Sequence, residues 1–138
     1  MERASRQRDA IRQALEAAGR PLLPGEILAA AQREVPALGM ATVYRNLKQL
    51  ADAGEIQSVE LPGEAPRFEV AGHHHHHHFS CSVCQRVFDV HACPGDMQKL
   101  APAGFMVERH ELTLYGRCGD CSAAPPRRAR RAAAKTSA

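Results

Sequence analysis

Apolar positions recur at helical spacing in three stretches of the first half of the chain. These stretches cover residues 4–18, 24–35 and 40–54, and their period of three to four residues predicts amphipathic helices. Glycines mark the ends of the first and third stretches, at Gly19 and Gly54. The apolar face of the third stretch consists of Val43, Leu47 and Leu50.

Two short strand-like runs follow the third predicted helix. Residues 55–61 and 65–70 alternate apolar and polar side chains on either side of a turn that contains Pro and Gly, which predicts a β-hairpin. Three helices followed by a hairpin predict a winged helix-turn-helix. We therefore assign residues 1–70 to a DNA-binding domain.

The polar face of the third helix carries side chains that can donate hydrogen bonds to bases and phosphates. The alternative is an ordinary solvated face, which would be the default for one helix alone. The order of three helices and a hairpin favours DNA reading instead. The candidate DNA-binding residues are Thr42, Tyr44, Arg45, Lys48 and Gln49.

The composition changes after Gly72, and the second half predicts a smaller unit. Three strand-like runs and a short helix over residues 94–101 indicate a small α/β domain at residues 71–122, so the whole chain is expected to be of the α+β class. Aromatic residues make up only 4% of the chain, and a unit this small needs a metal or a second subunit. The strand-like runs are residues 73–81, 85–90 and 105–116.

The charge of the chain is concentrated at its C-terminal end. The net charge is +3, from 18 basic and 15 acidic residues. Residues 127–138 hold five of the basic ones, which leaves 13 basic against 15 acidic, or −2, for the rest. DNA contact therefore needs a local basic patch. We interpret residues 123–138 as a disordered basic tail, either a solubilising end or an arm with a role.

The sequence indicates a cytoplasmic protein without a membrane partner. No apolar run approaches the roughly 18 residues of a membrane span, and the first ten residues lack the apolar segment of a secretory signal. Thiols stay reduced in the cytoplasm, so the five cysteines indicate metal or redox chemistry rather than disulfides.

Four of the cysteines form two CxxC pairs separated by 33 residues. Two CxxC turns can close four thiolates around one zinc ion. The alternative, a thioredoxin-like redox pair, would open a helix and act alone. We favour structural Zn²⁺ bound by Cys81, Cys84, Cys118 and Cys121.

Six consecutive histidines occupy residues 73–78, directly before the first CxxC pair. A purification handle would lie at a chain end and a solvated loop is the other alternative, but we favour metal binding. Alternate side chains of a strand face opposite ways, so one strand could serve two metal sites. One face would carry His74, His76 and His78, and the other His73, His75 and His77. Candidate partners elsewhere are Glu69, Asp89, Cys93, Asp96 and His110.

These motifs together resemble the ferric uptake regulator family of metal-dependent repressors. The resemblance covers about residues 4–121 and rests on ATVYRNLKQLADAG, RFEV before the histidines, HFSCSVC and RHELTLYGRCGDC. It implies a homodimeric repressor of double-stranded, palindromic operator DNA. It also implies a C-terminal dimerisation domain, structural zinc in the four cysteines and a regulatory metal near the hinge.

The resemblance further implies ligands for two metal sites besides the four cysteines. The hinge site would use Glu69, His76, His78 and, as an additional ligand, Asp89. The further site would use His75, His77, Asp96 and His110. A three-residue deletion before the last of these makes Cys93 a competitor of the aspartate.

The regulatory metal is expected to be Zn²⁺ ahead of Fe²⁺. Many iron and peroxide sensors of the family have a histidine ligand at the start of the second helix, where this chain has Pro21 or its neighbours. Histidine with an added thiolate suits zinc, whereas iron sites use carboxylate and imidazole. The expected function is zinc-responsive repression of metal-uptake genes.

Other functions are weighed against this one. An iron-responsive or peroxide-responsive regulator of the same family is the first alternative, and a metal store or chaperone is the alternative from another class. An enzyme is not expected, because the sequence defines no general base and no isolated reactive CxxC pair.

Overall fold

The first half of the chain folds into three helices and a hairpin, in the predicted order. The structure is a computed structural model that describes residues 2–72 and 76–123. The predicted tail beyond residue 123 and the first three histidines of the run lie outside that part. The elements of this half are α1 Glu2–Ala18, α2 Pro24–Ala31, α3 Met40–Asp52, β1 Ile56–Val59 and β2 Arg67–Val70.

The apolar faces of the three helices meet in one core. Ile11 of α1, Ile27 of α2 and Val43 of α3 are fully buried there, and each such side chain contributes about 1.5–3 kcal/mol. Strands β1 and β2 pair antiparallel, and Leu22 forms a bridge to Phe68 in β2. This bridge holds the hairpin, the wing of the fold, against the helices.

The ends of the helices follow local backbone preferences. Helix α2 ends at Ala31, four residues before the predicted end, and residues 32–34 form a turn. Pro36 disfavours helical backbone at Val35, which explains the early end. Helix α3 ends at Asp52, two residues before the end of the predicted stretch, and Gly54 takes a left-handed φ of 76°, as expected of a glycine that terminates a helix.

The second half contains a three-stranded sheet of order β4-β3-β5. Strand β3 pairs antiparallel with β4 and parallel with β5. His78 lies directly opposite Asp89, and His77 lies opposite Val90. The elements are β3 His77–Cys81, β4 Val87–Val90, β5 Thr113–Gly116 and α4 Gly119–Ser122.

Several predicted elements of this half are shorter in the structure. The helix predicted over residues 94–101 is a single 3-10 turn, Gln98–Leu100, and Gly95 before it takes a left-handed φ of 95°. Of the strand predicted over residues 105–116, only β5 at its C-terminal end pairs with β3. The strand predicted from Gln85 begins later, since Gln85 has a φ of 66°.

The wing packs against this sheet. Val59 and Leu61 contact Val87, at the start of β4, in a small apolar cluster. The buried Arg67 of β2 donates a hydrogen bond to the carbonyl oxygen of Gln85 at 3.0 Å. These contacts cross the predicted domain boundary after residue 70, which stays a prediction. Within residues 2–72 and 76–123, no helix has the length and hydropathy of a membrane span.

Candidate metal centres and DNA-reading helix

The four cysteines of the two CxxC pairs meet at one end of the sheet. Their sulfur atoms all lie within 4.8 Å of one another, and the Sγ atoms of Cys84 and Cys118 are 3.8 Å apart. A tetrahedral zinc site with Zn–S bonds of about 2.3 Å has edges of about 3.8 Å. The cysteines are free thiols rather than disulfides, so the donor set fits Zn²⁺.

Hydrogen bonds lower the pKa of two of the four thiols and raise that of a third. The backbone N–H of Cys84 lowers the pKa of Cys81 to about 6. The Arg86 side chain donates to Cys84 Sγ at 3.1 Å and lowers the pKa of that thiol. Hydrogen bonding with Cys118, together with burial, raises the pKa of Cys121 to about 12. A metal that binds all four sulfurs as thiolates would therefore displace protons from the cluster.

A second cluster joins the wing to the sheet, and we call it the hinge cluster. It consists of Glu69 from β2, His76 and His78 from one face of the β3 segment, and Asp89 from β4. The Nε2 atom of His76 lies 2.9 Å from Glu69 Oε1 and 3.4 Å from Asp89 Oδ1. The corresponding distances from His78 Nε2 are 3.7 and 3.5 Å. Two imidazoles thus face two carboxylates in a nearly closed space.

The hinge cluster has buried polar atoms that a cation would satisfy. Among the residues that the structure describes, Glu69 Oε2, His78 Nε2 and Asp89 Oδ1 are buried without a hydrogen-bond partner, an unfavourable state for polar atoms. Burial and the adjacent Glu69 raise the pKa of Asp89 to about 6. Burial also raises the pKa of Glu69, but the surrounding side chains, His78 first, outweigh it and lower that pKa to about 2. The set of two nitrogens and two carboxylates fits a divalent metal.

A third cluster lies on the opposite face of β3, and we call it the Cys93 cluster. The Sγ atom of Cys93 is 3.4 Å from His77 Nε2 and 3.4 Å from His110 Nε2. Asp96 is not among the ligand atoms that lie within 4.8 Å of one another in this cluster, and its Oδ1 accepts the backbone N–H of Gln98 at 2.9 Å. The structure thus brings together three of the residues expected at the further site. His75 lies outside the described residues.

Both histidine clusters open onto the same cavity. The cavity has a volume of about 850 Å³ and lies between the wing and β3. Glu69 and His78 line it from the hinge cluster, and His77 and His110 line it from the Cys93 cluster. Part of each cluster therefore faces this cavity.

The predicted DNA-reading residues form the exposed face of α3. Tyr44 is 56% exposed, and Arg45, Lys48 and Gln49 are exposed as well. Arg45 Nη2 donates to Thr42 Oγ1 at 3.3 Å, which orients the guanidinium along the helix. The opposite face is held in the core, so these side chains are free to enter a groove.

Sequence reasoning missed two arginines that support the sites. Arg86 bonds two of the cysteines and also Asp120, 3.2 Å away. Its position two residues after Cys84 was a usable signal, because a cation next to a thiolate cluster stabilises it. The second missed arginine is Arg67, which bonds the wing to Gln85. Nothing in its local sequence indicates that it is buried.

Comparison with known proteins gives relatives along most of the chain. Residues 2–115 match the sequence model of the Ferric uptake regulator family. The Ferric uptake regulation protein of Staphylococcus aureus is 40% identical over 87 residues, which span 62% of this chain and 63% of that protein. The Peroxide-responsive repressor PerR of Staphylococcus saprophyticus is 31% identical over 122 residues, 86% of this chain and 82% of that protein.

The fold of this chain is similar to that of a solved structure. A zinc-bound manganese uptake regulator superposes with a TM-score of 0.69 at 25% identity, over 81% of this chain and 87% of that one. The match to the Staphylococcus aureus protein spans less than two thirds of its length, but the family model covers nearly the whole described chain. This chain therefore belongs to the ferric uptake regulator family.

Proposed function

We propose that this protein is a metal-dependent transcriptional repressor that binds operator DNA as a homodimer. The observation that carries the proposal is the hinge cluster. One of its ligands, Glu69, belongs to the wing, whereas His78 and Asp89 belong to the sheet and His76 directly precedes β3. A site built from both parts can link metal binding to the position of the reading helix.

The link follows from where the ligands lie. Glu69 reaches the two imidazoles only when the wing is seated against β3, so the complete ligand set exists only in this arrangement. A bound cation supplies the positive charge that the two buried carboxylates need. Because a ligand shifts an equilibrium only by its differential affinity for the two states, the metal favours the seated wing. Coupling of about 1–3 kcal/mol would change operator affinity roughly 5- to 150-fold.

The sheet supports the dimer proposal. Strand β5 lies at the edge of the sheet, and an uncovered edge can pair with a second copy. Large apolar side chains are exposed in this half, as is common at subunit interfaces. A two-fold dimer would present two α3 helices to a palindromic operator. The exposed side chains are Leu100, Phe105, Met106, Leu114 and Tyr115.

We propose Zn²⁺ as both the structural and the regulatory metal, with Fe²⁺ as the second candidate for regulation. The four thiolates support zinc at the structural site. The hinge set of two nitrogens and two carboxylates accepts either metal. Zinc in regulation is supported by the Cys93 cluster, whose thiol suits zinc better than iron. The name of the Staphylococcus aureus relative supports iron.

A metal store is the competing function from another class. The histidines and cysteines alone would serve it, but a store needs neither an exposed reading helix nor a ligand from the wing. The exposed face of Tyr44, Arg45 and Lys48 therefore favours a repressor. A repressor that binds chromosomal DNA would act in the cytoplasm, and no catalytic step is proposed.

The test measures operator binding at controlled metal concentrations. Protein with structural zinc retained is titrated with Zn²⁺ or Fe²⁺ under anaerobic conditions, and binding to DNA from its own promoter region is followed by fluorescence anisotropy. We expect tight, sequence-selective binding only with the regulatory metal. Equal binding with and without metal, or no preference over random duplex, would contradict the proposal. The metal with the lower midpoint identifies the effector.

A further inference from the structure

Arg86 lies between the two CxxC pairs and makes hydrogen bonds to both of them. Its Nε donates to the Sγ atom of Cys84, in the first pair, at 3.1 Å. Its Nη2 lies 3.8 Å from the Sγ atom of Cys118, in the second pair, and 3.2 Å from Oδ2 of Asp120. The side chain therefore joins the two turns through hydrogen bonds of its own, in addition to the metal that the four cysteines share.

Two further contacts hold the guanidinium of Arg86 in place. Asp120 binds it from α4, and the ring of Phe88 in β4 packs against it. The Cζ atom of Arg86 lies 5.4 Å from the centroid of that ring, a distance at which a cation and an aromatic ring attract each other. The orientation of the guanidinium toward the sulfurs is therefore maintained by partners from α4 and β4.

The four sulfurs differ in their exposure and in their hydrogen-bond donors. Cys81 is fully buried, and its Sγ atom accepts the backbone N–H groups of Cys84 and Cys118 at 3.5 and 3.4 Å. Cys84 is only half-buried, so reagents in the solvent reach it more easily than they reach Cys81. The shorter of the two sulfur contacts of Arg86 is the one to Cys84. Arg86 therefore binds most closely to a sulfur that needs protection.

The charge of the zinc site gives these hydrogen bonds a chemical effect. Four thiolates carry more negative charge than one Zn²⁺ ion neutralises, and the metal keeps its thiol ligands deprotonated. The excess charge makes the sulfurs nucleophilic, because the thiolate is the reactive form of cysteine. A guanidinium that donates to two sulfurs reduces this charge and occupies lone pairs that would otherwise attack an electrophile. Loss of such outer partners of metal ligands lowers metal affinity by about 10- to 100-fold.

We propose that Arg86 is a positioning residue of the four-cysteine site, whose hydrogen bonds to Cys84 and Cys118 retain the zinc and protect the sulfurs from electrophiles. Both its charge and its forked geometry contribute, because the fork lets one side chain reach a sulfur of each CxxC pair. The proposal rests on the structural Zn²⁺ of the proposed function and goes beyond it, since it assigns the residue that limits loss of that ion. Removal of Arg86 leaves the four ligands present and changes their reactivity.

The test measures the reactivity of the four sulfurs in full-length protein loaded with zinc. Every sample, including the parent protein, carries Cys93→Ser, so that the remaining cysteines are those of the zinc site. Arg86→Met removes the charge and keeps the length of the side chain, whereas Arg86→Lys keeps the charge and loses the fork. Arg117→Met is the matched control, because it removes the same charge from an exposed residue next to Cys118. Iodoacetamide alkylates a sulfur, which displaces iodide, and a chromogenic chelator records the zinc released.

We expect Arg86→Met to be alkylated and to release zinc about 10-fold faster than the parent protein, with Cys84 modified first in peptide mapping. Arg86→Lys should react at an intermediate rate, and Arg117→Met should match the parent. Equal rates in Arg86→Met and the parent, or an equal effect of Arg117→Met, would overturn the proposal. Circular dichroism before alkylation checks the fold. If Arg86→Met does not fold, Arg86→Lys is compared with the parent, and equal rates there overturn the proposal as well.

Co²⁺ in the four-cysteine site gives a second readout, which a loss of folding alone does not produce. A hydrogen bond to a thiolate lowers the energy of the sulfur lone pairs, so its removal in Arg86→Met should move the sulfur-to-cobalt charge-transfer band to longer wavelength. The d–d bands of tetrahedral Co²⁺ should stay unchanged, because the four ligands remain. An unshifted charge-transfer band would contradict the proposal. A parent protein that binds no zinc at the four cysteines would instead contradict the structural zinc of the proposed function, and this proposal with it.

Discussion

The guanidinium of Arg67 connects the wing to the turn that holds the first CxxC pair, through its 3.0 Å hydrogen bond to the carbonyl oxygen of Gln85. The same guanidinium pairs with Glu64 at 2.6 Å. A buried arginine is unfavourable unless such partners satisfy it. The Glu64 pair lies within the wing, whereas the bond to Gln85 exists only while the wing is seated. Arg67 therefore stabilises the arrangement that completes the hinge cluster.

Arg67→Ala should make operator binding need more metal. The seated wing loses a hydrogen bond to a charged group, worth about 1.5–3 kcal/mol. The metal concentration at half-maximal operator binding should rise about 10-fold or more. Glu64→Gln is the control, because it removes the ion pair but keeps the bond to Gln85, and its effect should be smaller. An Arg67→Ala midpoint equal to that of wild type, with zinc content and dimer unchanged, would exclude this contribution.

His76→Ala should abolish metal-dependent operator binding while leaving structural zinc and the dimer intact. The substitution removes a hinge ligand and touches neither the four cysteines nor β5. His91→Ala is the matched control, because its ring centroid lies 5.9 Å from that of His76 although it is outside the ligand set. Anisotropy titration with metal gives the result. A His76→Ala protein that responds at the wild-type metal concentration would show that the hinge assignment is wrong.

Cys118→Ser should cost the protein both its structural zinc and its dimer. Structural zinc supplies apparent free energies of about 10–16 kcal/mol in small domains, and this site joins the end of β3 to the segment after β5. Cys93→Ser serves as the cysteine control and should keep both properties. Zinc analysis and analytical ultracentrifugation check the outcome. A stable Cys118→Ser dimer without zinc would contradict a structural role.

Arg45→Ala should weaken operator binding without changing metal affinity. If Arg45 reads a base in each half-site, the loss is about 2–6 kcal/mol for the dimer, with specificity relaxed at one position per half-site. If it binds phosphate, affinity falls for all sequences and the salt slope shrinks. Arg33→Ala removes the same charge from an exposed position outside α3 and should have little effect. Equal affinity and salt slope in Arg45→Ala and wild type would rule out a reading role for α3.

Asp89→Asn should stabilise the protein that lacks a regulatory metal. The folded state raises the pKa of Asp89 from 3.8 to about 6, so this group favours folding below pH 3.8, and that contribution is lost as the pH rises through 6. Asparagine cannot ionise, and unfolding at pH 7.5 should cost on the order of 1–3 kcal/mol more than in wild type. Urea unfolding at pH 5 and 7.5 measures this, with Asp52→Asn as the exposed control. The argument would be contradicted if Asp89→Asn raised the free energy of unfolding by no more at pH 7.5 than at pH 5.

The features predicted correctly depend on short-range patterns. The spacing of Val43, Leu47 and Leu50 predicted the buried face of α3, because a helix repeats every 3.6 residues. The opposed directions of His76 and His77 followed from the period of a strand in the same way. The assembly of the four cysteines could be predicted because CxxC turns are characteristic of zinc sites.

The features missed depend on how distant segments pass one another. Whether Cys93 or Asp96 faces His110 is decided by the path of the chain between β4 and β5, and no local period describes that path. The burial of Arg67 results from a carbonyl group 18 positions further along the chain. The alternation of residues 105–112 predicted a strand, but the sheet pairs only with the segment that follows them, Thr113–Gly116.

The ligand positions in the histidine run are counted backwards from Phe79, which is fixed in β3 by pairing with Phe88 and Leu114. Residues 73–78 are all histidine, so deletion or insertion of one histidine still leaves imidazoles at the three positions before Phe79. Such a change alters only the length of the connection from the wing. Insertions and deletions of single histidines can therefore change the length of the segment between the wing and β3 during evolution. The candidate ligand atoms before Phe79 stay the same.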